Sequence, residues 1–153
     1  MNDIKHYLEQ LNNLKFNDGG FYKFLLSKGN SLKPNKLDEK IEKDLIEKYF
    51  IHPRKKGCYY NAQQLTIYSK GKYDYYEGYA ISKILNMPLE HAWNVYDGKI
   101  IDISWKDGLE YFGIKMPYPW IKKQFYKFVF KYNVSDSHLI RYWEYCTNHK
   151  IVI

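Results

Sequence analysis

The sequence predicts an α+β domain in which helices pack on a small antiparallel sheet and a cysteine stands at a helix N-terminus. Three patterns carry that expectation. Apolar residues recur at helical spacing before residue 56 and again after 117. Between 73 and 82 the period changes to two, as in a strand. Asp97-Gly98 then separates two apolar runs, the pattern of a two-residue hairpin turn. One domain over 1–153 is expected: a helical part at 1–56, a core at 57–116, and C-terminal helices at 117–153.

Taken in order, Ile4, Leu8, Leu11 and Leu14 place a first helix over 3–16, ended by Asn17-Asp18-Gly19-Gly20. Phe21 to Leu26 forms a short packed helix, and Gly29 to Pro34 a loop. Leu37, Ile41, Leu45 and Tyr49 predict a helix from about Asn35 to Phe50, closed before Pro53. A third helix starts at Cys58, with Cys58, Ala62, Leu65 and Thr66 on one face and Gly71 after its end. In the strand that follows, Gly78 and Ala80 leave room for this helix to pack closely.

Pro88 is tolerable at the start of the next strand, and Asp97-Gly98 sets the hairpin register. Tyr96 pairs with Lys99, Val95 with Ile100, Trp93 with Asp102, and His91 with Ser104. Tyr111 to Met116 offers another strand. Pro119 opens an apolar helix through Trp120, Ile121, Phe125, Phe128, Val129 and Tyr132. Ser135-Asp136-Ser137 supplies caps for a last helix bearing Leu139, Ile140, Trp143 and Cys146, and the tail Ile151-Val152-Ile153 is open between edge strand and loop.

Charge and composition narrow the function. The formal net charge is +7, but only Arg54 and Arg141 are arginines. Base readout and bidentate phosphate clamps favour arginine, so a solvated lysine surface is preferred over a nucleic-acid face. Two cysteines give neither a metal pair nor a disulfide framework, and no metal or cofactor is expected. Without a signal-like start or a long apolar run, the expected location is cytoplasmic, with no membrane partner.

The chemistry gathers on Cys58, His91 and Asp102. A cysteine in the first turn of a helix feels the positive end of the helix dipole, which favours the reactive thiolate. In the hairpin register His91 and Asp102 are diagonal neighbours on one face, where a carboxylate can fix the tautomer of an imidazole. Each residue alone is more commonly a packing or capping group, and their conjunction points to a nucleophile, a general base and an orienting carboxylate. Asn61 and Glu77 read equally well as cleft-lining groups and as ordinary helix and strand residues. Trp93 shares the His91 face, as a water shield or as core packing. Tyr79 and its neighbouring tyrosines are natural walls for a substrate cleft.

The series Gly57-Cys58, His91-Ala92-Trp93 and Asp102-Ile103-Ser104-Trp105 resembles the papain-like cysteine enzymes of the transglutaminase-like branch. Over about residues 57–116, the YxEGYA, HAW and YFG segments also resemble uncharacterised bacterial and phage proteins. The pattern departs in having Gly57 adjacent to the cysteine and Tyr59 after it, where transglutaminases carry tryptophan. The resemblance implies a papain-like/transglutaminase-like fold and a Cys58–His91–Asp102 triad. It further implies acyl transfer or hydrolysis on a protein, peptide or small amide, as a protease, amidase, deamidase or transglutaminase-like enzyme. The alternative is a non-catalytic basic module that binds nucleic acid or an acidic protein, or a papain-like scaffold serving as an inhibitor or partner module.

Overall fold

Among the described residues, five antiparallel strands make one sheet, and the helices supply its cover. The structure is a computed structural model and describes residues 3–14, 20–34, 38–127 and 139–150. The helices are α1 (Asp3–Asn13), α2 (Phe21–Lys28), α3 (Glu39–Lys48), α4 (Cys58–Tyr68), α5 (Tyr118–Tyr126) and α6 (Ile140–Asn148). The strands are β1 (Asn30–Leu32), β2 (Asp74–Ser82), β3 (Pro88–Tyr96), β4 (Lys99–Ile101) and β5 (Gly108–Met116), ordered β1-β5-β2-β3-β4. The coarse α+β expectation is therefore met.

The register gives the sheet two distinct faces. Tyr75, Glu77 and Tyr79 of β2 share one face with Ala92 and Asn94 of β3 and with Phe112 and Ile114 of β5. Helices cover this face, and Ile4, Leu25, Ile67, Trp120 and Ile121 pack into the main core there. The other face carries Ala80, Trp93, Val95, Ile100 and Tyr111, a smaller aromatic core. Helix α4 rests chiefly on β3 and is buried on every side from Asn61 to Ile67, so a single apolar stripe does not describe it.

Several expectations change with tertiary context. The loop predicted at Gly29–Pro34 contains β1, which pairs Asn30 with Gly113 and Leu32 with Tyr111. A three-residue edge strand carries too little alternation to be read locally and is made by its partner. Helix α3 begins at Glu39 rather than near Asn35, because Asp38 caps it by accepting from the Lys40 N–H at 2.7 Å. Gly78 and Ala80 do not receive α4; they lie on the opposite face. A Cβ at Gly78 would run into the Phe112 carbonyl, so the glycine serves the approach of β2 to β5. Asp97 and Gly98 have φ of 50° and 72°, as a type I′ turn requires, and the predicted pairs Tyr96–Lys99 and Val95–Ile100 form, followed by Asn94–Ile101. Phe128, Val129, Tyr132, Ser135-Asp136-Ser137 and Ile151–Ile153 lie outside the described residues.

Candidate active site

Strand β4 ends at Ile101 because the next residue, Asp102, turns the chain with its own side chain. Its Oδ1 accepts from the N–H groups of Ser104 at 3.1 Å and Trp105 at 2.9 Å. The predicted pairs Trp93–Asp102 and His91–Ser104 are therefore not part of the ladder, which stops at Asn94–Ile101. Beyond Asn94 the outer edge of β3 has no strand partner among the described residues. There the 102–105 loop meets the N-terminus of α4, with Asn61 Nδ2 donating to Ser104 Oγ at 2.9 Å.

Even without continuous pairing, His91 and Asp102 meet. His91 Nε2 lies 2.8 Å from Asp102 Oδ2, and both side chains are 1% exposed. A carboxylate only accepts, so Nε2 carries the proton of this hydrogen bond. Tyr111 donates to the same Oδ2 at 2.8 Å. Burial first, and then the neighbouring Asp102 charge, hold the Tyr111 phenol well above its ordinary range and keep it a donor. Four donors thus surround Asp102: two backbone amides, a phenol and an imidazole. That shell compensates the buried charge. Trp105 stacks on the imidazole at 3.8 Å between ring centroids, inclined by 16°.

Cys58 is the first residue of α4, half-buried after Gly57. With His91, Asn61, Ser104 and Trp105 it lines a cleft of about 460 Å³. Asp102 sits behind the imidazole, outside the cleft lining. The structure thus brings the three predicted residues to one place, with the cysteine and histidine facing the opening.

The other predicted residues divide. Asn61 borders the cleft, but its amide is fully engaged: Oδ1 accepts from the Arg54 N–H at 2.7 Å, and Nδ2 donates to the Arg54 carbonyl at 3.0 Å as well as to Ser104. Gln64 grips His52 in the same two-sided way, at 3.0 and 3.1 Å. Together they pin the 52–54 segment along α4. Glu77 and Tyr79 are buried on the helix-covered face and do not line this cleft. Glu77 accepts from the Leu139 and Ile140 N–H groups at 2.7 and 2.8 Å and from the Tyr75 hydroxyl. Burial outweighs those hydrogen bonds and pushes its carboxyl up to about 7. Trp93 is also outside the lining; its ring centre lies 6.3 Å from that of the imidazole, and it packs in the aromatic core with Tyr111.

Two contributors were not singled out from sequence. Trp105 was visible only as part of its motif, and nothing local marks Tyr111 as a partner of Asp102. Strand alternation does place Tyr111 on the Ala80 and Trp93 face once β5 is known to adjoin β2. Among the described residues, no group of three or more His, Cys, Asp or Glu side chains is arranged to hold a metal, and no helix is long and apolar enough to cross a membrane. Set against protein-family models, curated proteins and solved structures, the chain finds no match.

Proposed function

We propose that this protein is a cysteine-nucleophile acyltransferase or hydrolase of papain-like, transglutaminase-like type, working through Cys58, His91 and Asp102. The observation that carries the reading is the buried His91–Asp102 pair opening onto the cleft that holds Cys58. A hydrogen-bonded carboxylate behind an imidazole that shares a cleft with a helix-start thiol is the geometry of nucleophile, base and orienter.

In this reading Cys58 gives its proton to His91 Nδ1 and attacks a carbonyl carbon, forming a tetrahedral intermediate at the N-terminal end of α4. The helix dipole there stabilises the developing oxyanion. His91 then protonates the leaving amine, and the thioester is resolved by water or by a second amine. Asp102 stays ionised and holds the imidazolium, while Trp105 covers the ring face and limits access of water.

The test is iodoacetamide labelling of Cys58 and Cys146 from pH 4 to 9, read separately by peptide mass spectrometry. Fast Cys58 labelling at pH 5 to 6, lost in His91→Ala, is expected of a thiolate–imidazolium pair. An ordinary thiol ionises near ~8.5. Cys58 labelling no faster than Cys146, with a profile centred there, would remove the reading. In that case salt-dependent retention on nucleic acid, independent of Cys58, would support the binding-module alternative.

A further inference from the structure

We infer that the Cys58 cleft takes an acyl substrate bearing a carboxylate beside the carbonyl that is attacked. This rests on the thiol-nucleophile reading and gives it a substrate class. Arg54, Lys55 and Lys56 are exposed and line the same cleft as Cys58 and His91. The acidic residue in that lining, Glu90, has its carboxylate 3.6 Å from Arg141. The entrance is therefore dominated by cations.

The fold fixes this basic segment in place. Asn61 holds the Arg54 backbone on both its N–H and its carbonyl. The Arg54 guanidinium sits 4.0 Å from the centre of the Tyr60 ring, on the first turn of the nucleophile helix. The Gly57 N–H donates to the Arg54 carbonyl at 3.1 Å, closing a tight turn around Lys55 and Lys56. Lys56 has a φ of 60°, in the left-handed region that glycine or asparagine would enter more easily.

A cleft of about 460 Å³ is roughly 8 Å across if taken as a cube, below the ~10 Å screening length of 0.1 M salt. A carboxylate entering it comes within that length of all three cations, and so gains both in encounter rate and in binding.

The experiment compares iodoacetate with iodoacetamide on the intact protein, two alkylating agents that differ chiefly in a carboxylate. The iodoacetate-to-iodoacetamide rate ratio at Cys58 is referred to the same ratio for N-acetylcysteine. At 20 mM salt the protein's ratio is expected to be about ten-fold higher, falling several-fold at 0.5 M salt. The same fall is expected in a Lys55→Glu, Lys56→Asp variant; aspartate is chosen because it tolerates positive φ. Lys55→Gln provides a milder variant should the double change unfold the protein, with a smaller fall expected.

Fast labelling with the free-thiol ratio, unmoved by salt or by Lys55→Gln, would overturn the charge preference while leaving the nucleophile intact. Slow labelling of Cys58 by both reagents would overturn the nucleophile reading and the substrate class with it.

Discussion

Replacing Glu77 with glutamine should flatten one part of the protein's stability-against-pH curve. Glu77 is fully buried, and its carboxyl is raised from 4.5 to about 7, chiefly by desolvation. In the unfolded chain it loses its proton near the ordinary value, whereas in the folded chain it keeps the proton to about 7. Its contribution is therefore fully present below about 4.5, falls as pH rises through the gap, and is lost above about 7. Each pKa unit corresponds to about 1.4 kcal/mol, so the gap amounts to roughly 3 kcal/mol. For a chain of this length that is a shift of about 10 °C in Tm.

The assay is urea unfolding of wild type and Glu77→Gln at several pH values from 4 to 8.5, followed by circular dichroism. Glutamine cannot titrate, so the difference between the two curves isolates Glu77 from every other group. The variant is expected to start less stable, because its amide presents N–H where the native oxygens accept from Leu139 and Ile140. The decisive quantity is how the difference changes with pH, not its absolute value. Wild type should lose about 3 kcal/mol relative to the variant between pH 4.5 and 8. Parallel curves would refute the claim that burial, rather than the three hydrogen bonds, governs this carboxyl.

On the proposed mechanism, Asp102→Asn should slow turnover by about 10⁴-fold, because an amide can stabilise the wrong imidazole tautomer. A matching loss of fast Cys58 labelling at pH 5 to 6 would tie the effect to His91. Tyr111→Phe removes one of four donors to Asp102 and should lower stability by about 1–3 kcal/mol in chemical unfolding, with a weaker effect on labelling. Asn61→Ala frees the Arg54 backbone and should speed trypsin cleavage after the already exposed Lys55 and Lys56; a digestion rate equal to wild type would contradict the clamp. Gly113→Ala places a methyl 2.7 Å from the Trp93 ring and against the Glu77 carbonyl, and should cost about 3 kcal/mol or more in Tm-derived stability.

What was legible in the sequence was whatever depends on near neighbours. The Asp97-Gly98 turn and the alternation on either side of it set a register that held from Tyr96–Lys99 to Asn94–Ile101. That was enough to bring His91 and Asp102 together. The break after Ile101 was less visible, because it depends on the Asp102 side chain bonding back to Ser104 and Trp105. Partners remote in sequence were invisible. Glu77 reads equally well as a cleft residue and as an ordinary strand residue, and neither reading contains the Leu139 and Ile140 N–H groups that donate to it across separations of 62 and 63 residues. Asn61 was placed near the site but not given its clamp, since a sequence shows an amide and not what it grips. Strand β1 gave no signal, because it exists through β5.

The hairpin between His91 and Asp102 acts as a ruler. It spans a sequence separation of 11, with both turn residues at positive φ and no slack in the ladder beside them. Surface turns normally absorb insertions and deletions freely. In the strands beside this one parity intervenes: adding or removing one residue between Lys99 and Asp102, with the pairs next to the turn kept, would send Asp102 to the opposite face of the sheet, away from the imidazole. A change of two would restore the face but displace the carboxylate by a strand repeat, about 7 Å, far outside hydrogen-bond reach. The tip's side chains are therefore open to variation, while the length of the strand between the turn and Asp102 is not. An Asp97-Gly98 turn swapped for another two-residue turn should leave the pair intact, whereas one residue inserted between Lys99 and Asp102 should disconnect it in a protein that still folds.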